Sequence, residues 1–219
     1  MKTHSSQTVN LSASTLTVVL VGVASLVLWF FGVRRSLIAQ LKMARGPEQV
    51  SVATPVLSKS DTPYTLVEFG DYQCPPCRMS FAKVEAIRNK LGARLTFRWH
   101  HFPLTNIHPN AFLAALVSAS ARDHGKFEQM HKLLMEGATD PEAIKQEEKE
   151  LALPVVDLTH PKPELLQSVK EDLEAGRKLS VLGTPTFFLV TPAGAYRLHS
   201  LDDAEQLIGS KSEVANGGR

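Results

Sequence analysis

The two cysteines of this 219-residue chain stand together as Cys74-Pro75-Pro76-Cys77, between a short apolar run and an amphipathic stretch. The run, Tyr64–Phe69 (YTLVEF), has the length and apolar content of a strand buried on both faces. Beyond the cysteines, Phe81, Val84, Ile87 and Leu91 recur at helical spacing, with Lys83, Glu85, Arg88 and Lys90 on the other side. Residues 94–99 then alternate, with Leu95, Phe97 and Trp99 set against Arg94, Thr96 and Arg98, as in a strand with two unlike faces. Strand, helix and strand within about 36 residues make one βαβ unit. The Cys-x-x-Cys pair falls at the first turn of its helix.

That position has a chemical use. A helix N-terminus carries unpaired N–H groups and a positive dipole end, which favour a thiolate at Cys74 over a thiol. Cys77 reaches back across the first turn to close a disulfide, and Pro75 and Pro76 support that turn because early helical positions lose no hydrogen bond to proline. The alternatives are half of a metal site or two buried core thiols. Zinc takes four ligands, and with no second Cys pair a metal site would need histidine partners, His100 and His101 among them. A Cys-x-x-Cys pair opening a helix after a buried strand favours redox chemistry.

Downstream, residues 108–179 read as helical. Phe112, Leu113, Leu116 and Val117 form one apolar stripe, opened by Pro109 and ended by Gly125. His108 reads as the residue that bounds this helix. Phe127, Met130, Leu133 and Leu134 form a second stripe, closed by Gly137. Thr139 and Glu142 have capping-box spacing for a third helix, and Pro163 opens a fourth that carries Leu165, Leu166, Val169 and Leu173. Thr186–Val190 (TFFLV) returns to strand, the turn 191–194 leads into a second strand over 195–199, and Ser200 with Asp203 caps a last helix predicted to end at Gly209.

The N-terminal segment has a different character. Residues 1–46 hold five cations and no acid, whereas the rest of the chain holds 19 cations and 22 acids. The overall net charge of +2 gives no reason to expect a nucleic-acid partner. Residues 16–33 form an 18-residue run with only Thr17 and Ser25 as hydroxyl side chains. As a helix it spans about 27 Å, near the thickness of a hydrocarbon core. The run is longer than a signal-peptide core and no small-x-small site follows it, so a retained transmembrane helix is expected. The resulting division is a tail (1–15), a span (16–33), a tether (34–59), a body (60–210) and a C-terminal tail (211–219).

The stretch VEFGDYQCPPCRMSF (67–81) resembles the active-site strand, loop and helix of the thioredoxin superfamily. FRWHHFPLTNIHPNA (97–111) is similar to the strand and insertion entry of its DsbA-like branch of thiol–disulfide oxidoreductases. The helices over about 105–179 lie where that branch carries its helical insertion, and Gly183-Thr184-Pro185-Thr186 resembles the loop with a cis proline that faces the Cys-x-x-Cys motif. The resemblance implies an α/β thioredoxin fold with an inserted helical domain. It also implies disulfide exchange with cysteine-containing polypeptides, a redox-recycling partner protein, and no cofactor beyond the dithiol itself.

By the same resemblance, Cys74 is the exposed nucleophile, Cys77 the buried resolving thiol, Thr184 the residue against the sulfur, and Pro185 the cis proline beside an extended substrate. Glu68, six residues before Cys74, matches a buried acid that takes the proton of Cys77. An ion pair of Glu68 with Arg98 or His100 is the plainer alternative. Oxidising members commonly have histidine where this chain has Pro76, so Cys74 is expected in the upper part of the roughly 3.5–7.5 range of activated thiols, and the direction of electron flow stays open. The four cations after the span favour a cytoplasmic body. The resemblance implies an extracytoplasmic one, the confinement of cysteine to one motif suits either side, and the extracytoplasmic placement is expected. A copper- or zinc-handling chaperone built on the same pair is the alternative function.

Overall fold

The computed structural model describes residues 46–51, 55–58 and 60–216, together with Trp29. The expected span therefore lies outside the described residues apart from Trp29, and among the described residues no helix is long and apolar enough to cross a membrane.

Five strands form one sheet: β1 (Glu48–Val50), β2 (Tyr64–Gly70), β3 (Leu95–His101), β4 (Thr186–Thr191) and β5 (Gly194–Leu198), in the order β1-β5-β4-β2-β3. All seven residues of β2 are buried, as its unbroken apolar run requires. This strand pairs parallel with β3 and antiparallel with β4, while β4–β5 and β5–β1 are antiparallel. Strand β1 lies inside the segment 34–59 that was expected to be a tether. It joins through main-chain pairing, Gln49 opposite Tyr196, and a three-residue sequence of low apolar content gives little warning of that. Leu57, in the short helical turn that follows, is fully buried against the sheet.

Helices α1 (Pro75–Leu91) and α6 (Leu201–Asn216) cover one face of the sheet. There Val84 and Ile87 of α1 and Leu201, Ala204 and Ile208 of α6 pack on Tyr64, Leu66, Phe187 and Leu189. On the other face Val67, Phe69, Phe188 and Val190 pack with Phe102 and Val181. At the end of β2 the indole of Trp99, from the neighbouring strand β3, fills the space over Gly70: a Cβ there would sit 2.0 Å from the ring. Only glycine fits at that position.

Between β3 and β4 the chain inserts four helices, α2 (Ala111–Asp123), α3 (Phe127–Glu136), α4 (Pro141–Glu150) and α5 (Pro163–Lys178). Helix α2 is their core, with Leu113 through Ala121 all buried. It ends as the sequence suggested, at Gly125 with φ +69°. Lys126 N donates to Ala121 O and Gly125 N to Arg122 O, the paired bonds that close a helix through a left-handed glycine.

Three boundaries differ from expectation. Pro109 stays outside α2, whose N-cap is Asn110. The cap of α4 is Asp140, which accepts from Ala143 N at 3.0 Å, and not Thr139. Helix α6 continues through Gly209 to Asn216, since a glycine within an otherwise polar helix weakens it without ending it.

Candidate active site

Cys74 is the N-cap of α1, with extended backbone (φ −72°, ψ 117°), and Pro75 and Pro76 occupy the first two helical positions. Neither proline has an N–H. Of the groups a helix start normally offers an anion, the Cys77 N–H is the one left to face the Cys74 sulfur. On the other side of that sulfur lies the loop before β4, where Thr184–Pro185 is a cis peptide. The Cys74 thiol donates to the Thr184 carbonyl oxygen, with Sγ and O 3.3 Å apart. This approach covers the sulfur, so Cys74 is only 4% exposed, where an exposed nucleophile was expected. Cys77 is fully buried.

Electrostatics separates the two thiols. Cys74 is lowered to about 6, chiefly because the Cys77 thiol donates to its sulfur, with further help from Thr184 and the Cys77 N–H; burial and the Asp71 carboxylate oppose the shift. The Thr184 hydroxyl is buried with no hydrogen-bond partner among the described residues while Cys74 is a thiol, which leaves it available to the thiolate. Cys77 is driven strongly upward, first by its role as donor to Cys74, then by burial and by the nearby Glu68. The first cysteine ionises near neutrality, and the second holds its proton.

Glu68 is 1% exposed, and among the described residues its Oε1 has no hydrogen-bond partner. Burial raises its carboxyl well above the ordinary range, and the charge on Cys74 adds to this. The proposed ion pairs are not formed. Glu68 stands opposite Trp99 in the parallel register, so Arg98, one residue away, points to the other face and binds Val56 O and Ser58 O. His100 likewise turns away and meets Asp172 at 2.5 Å. An unpaired carboxyl beside Cys77 whose hold on a proton is strengthened by burial can receive a proton as the carboxylate and return it once protonated, which a salt-bridged carboxylate could not do as readily.

Several residues near the site were not singled out by sequence. Asp71, in the loop before Cys74, accepts hydrogen bonds from Gln73 N and Leu104 N at 2.8 Å and meets His108 Nδ1 at 2.7 Å. Gln73 reaches Thr139 with its amide nitrogen and accepts from Asn110 N. Arg78 donates to Tyr72 O, Leu134 O and Gly137 O. Residues 71–78 are thus laced to the helical insertion by three polar side chains. His108 was read as a helix boundary, but it spends its side chain on Asp71. Beneath the loop, Tyr72 joins Ser118 and His131 through its hydroxyl, and Trp99 donates to His101 Nδ1 at 3.1 Å. The only signal in sequence for the links from residues 71–78 to the insertion and its entry was the density of polar residues in Asp71-Tyr72-Gln73, because those partners lie 33 to 66 residues away. Among the described residues no group of three or more His, Cys, Asp or Glu side chains is placed to hold a metal ion.

A central parallel strand, a Cys-x-x-Cys pair capping the following helix and a cis proline facing the first sulfur together define a dithiol protein of thioredoxin fold. Comparison with known proteins agrees. A family model described as Thioredoxin matches residues 51–192, and the chain belongs to that family. Among curated proteins it is 32% identical over 135 residues to Na(+)/H(+) antiporter NhaA 1 of Mycobacterium sp. (strain KMS), a match that covers 59% of this chain and 22% of the antiporter. The chain thus spans about a fifth of the length of that relative. Disulfide bond formation protein D of Bacillus subtilis is 28% identical over 148 residues, covering 62% of this chain and 67% of that protein. Among solved structures, the oxidoreductase DsbA of Xylella fastidiosa superposes with a TM-score of 0.59 at 16% identity, covering 78% of this chain and 97% of its own. It has the same fold.

Proposed function

We propose that this chain is a thiol–disulfide oxidoreductase of DsbA type that exchanges disulfides with cysteine-containing polypeptides through Cys74 and Cys77. The observation that carries this reading is the split between the thiols: Cys74 is lowered to about 6 beside Thr184 and cis Pro185, while Cys77 is pushed far up behind it. An attacking group must be a thiolate, and a resolving group must wait.

In the reducing direction the Cys74 thiolate attacks a substrate disulfide. One substrate sulfur leaves as a thiolate, and a mixed disulfide forms at Cys74. Cys77 then gives its proton to Glu68 in its carboxylate form and attacks Cys74 Sγ; the Cys74–Cys77 disulfide closes and the second substrate sulfur leaves as a thiolate that is protonated by solvent. In the oxidising direction a substrate thiolate opens the Cys74–Cys77 bond, Glu68 returns the proton to Cys77, and a second substrate thiolate displaces Cys74 to complete the new disulfide. Thr184 and Pro185 border the reacting sulfur, where the main chain at a cis proline is open to pairing with an extended substrate. Pro75 and Pro76 hold the turn. A redox-recycling partner protein restores the pair after each cycle.

The 18-residue run at 16–33 anchors the protein in this reading, with the body on the extracytoplasmic side, where dithiols of this kind meet unpaired cysteines. The name of the Bacillus subtilis relative, a disulfide bond formation protein, supports that placement.

The test is a pair of variants. Cys74→Ser should abolish exchange with a model disulfide such as insulin, and Cys77→Ser should accumulate mixed disulfides held through Cys74. Full exchange by Cys74→Ser would overturn the reading. Equilibration of the native pair against glutathione buffers then gives the potential, and with it the direction.

A further inference from the structure

Beside the dithiol lies a buried carboxylate with three hydrogen-bond partners, that of Asp71. Asp71 lies three residues before Cys74, and its side chain is fully buried. Its main-chain oxygen accepts from Cys74 N at 3.1 Å, so the same residue holds the backbone that presents the reactive sulfur. The carboxylate takes two backbone N–H groups, one from its own loop (Gln73) and one from the segment entering the insertion (Leu104), each at 2.8 Å. A third bond goes to His108, whose side chain is 15% exposed and is the one titratable partner of the three. Two N–H bonds already satisfy a buried carboxylate in part, and an imidazole at its outer edge is the one partner able to set a positive charge against it.

We infer that Asp71 and His108 are a positioning pair that sets the reactivity of Cys74: the buried carboxylate opposes negative charge on the sulfur, and the imidazolium beside it cancels part of that opposition. The inference rests on the dithiol reading and assigns its regulation to two residues outside the Cys-x-x-Cys motif. The ionisable groups around Cys74 are Cys77 on α1, Asp71 on the preceding loop and Glu68 on β2; the loop before β4 contributes Thr184, which has no charge. Asp71 disfavours the thiolate of Cys74. Its removal therefore acts in one direction and loss of its counter-charge in the other, a pattern that a purely structural clamp does not produce. A clamp would loosen the loop in both cases.

The experiment is a thiolate titration, by absorbance at 240 nm, of the reduced full chain and of Asp71→Asn, His108→Ala and the double variant, with near-ultraviolet circular dichroism as the check on folding. Asn keeps an acceptor for the two N–H groups and removes the charge. Asp71→Asn should lower the Cys74 midpoint by about one pH unit, a typical size for a like charge in a folded protein. Well below the midpoint this raises the thiolate fraction about tenfold. Since nucleophilicity falls with basicity, alkylation by iodoacetamide should gain about three- to fourfold. His108→Ala should raise the midpoint, and should do nothing further once Asp71 is Asn, the non-additivity expected of two groups acting as one. An Asp71→Asn midpoint equal to that of the native chain, in a folded protein, would overturn the inference. If Asp71→Asn does not fold, His108→Ala decides: an upward shift supports the pair, and an unchanged or lowered midpoint refutes it. Loss of all exchange in the native chain would instead refute the dithiol reading, which is separately visible.

Discussion

Cys74 and Cys77 are the same residue three positions apart, yet they titrate on opposite sides of an ordinary thiol. The difference comes from who donates to whom. Cys77 gives its S–H to Cys74, so one sulfur gains a donor and the other loses its freedom to ionise. Burial then acts on Cys77 most, because it is the one with no exposure. A proton held this tightly needs an acceptor before Cys77 can attack, and Glu68 is the unpaired, raised carboxyl on that side. Glu68→Gln preserves shape and removes proton transfer. We expect it to slow release of the mixed disulfide by about 100-fold, the lower end of what general acid–base groups contribute. The alkylation rate of Cys74 should change far less. Rapid-quench analysis of the mixed disulfide measures the first quantity, and equal losses in both would assign Glu68 a structural role.

Helix α1 shows how an element tunes a residue. Its start has two prolines, which set the backbone for the first turn and withhold two N–H groups. The thiolate at Cys74 is accordingly stabilised by the Cys77 and Thr184 side chains and one N–H, not by a full helix terminus. Pro76→His restores a donor at the second position and adds a cation. Its Cys74 midpoint should fall about one unit below that of the native chain, with a matching rise in reduction potential, by absorbance titration and glutathione equilibration. An unchanged midpoint would show that the helix start contributes little. The elements themselves were largely readable in sequence. Strand β2, helix α1 and strand β3 follow from periodicity, and the insertion follows from its apolar stripes. Where the reading missed, a short polar segment decided the outcome. Asp140 takes the cap from its neighbour Thr139, whose hydroxyl meets Gln73 instead, and β1 joins the sheet through backbone pairing that side chains do not announce.

In the whole molecule, the joint between the sheet and the insertion contains two neutral histidines. His131 lies among the rings of Tyr72, Phe81, Phe97, Trp99 and Phe127, and His101 beside Tyr72 and Trp99. Burial, chiefly, lowers both to about 3 from an ordinary 6.5. Below pH 6.5 the unfolded chain gains protons that the folded chain refuses, so each histidine removes stability as pH falls toward 3, at up to about 1.4 kcal/mol per pH unit. Glu147, raised by burial to about 7, and Glu68 act with the opposite sign between pH 4.5 and their folded values. Their protonated forms suit the fold, so lowering the pH through that window strengthens it. The two effects offset each other down to about pH 4.5. Below this the histidines act without that compensation, and urea midpoints should drop steeply; His131→Gln should reduce the slope by about one proton's worth. An unaltered slope would place the acid sensitivity elsewhere.

At the same scale, the placement of the cysteine pair at a helix start and the cis proline facing it were legible because both are written in short runs of adjacent residues. The Asp71–His108 and Tyr72–His131 links were not, because each depends on the insertion folding back over a loop 37 or 59 residues away. The most direct measurement is therefore site-resolved alkylation of the reduced chain as a function of pH, read by peptide mass. Cys74 should be labelled with a midpoint near pH 6 while Cys77 stays unmodified through pH 9. Equal labelling of the two cysteines, or a Cys74 midpoint near that of a free thiol at about 8.5, would contradict the assignment of nucleophile and resolving thiol.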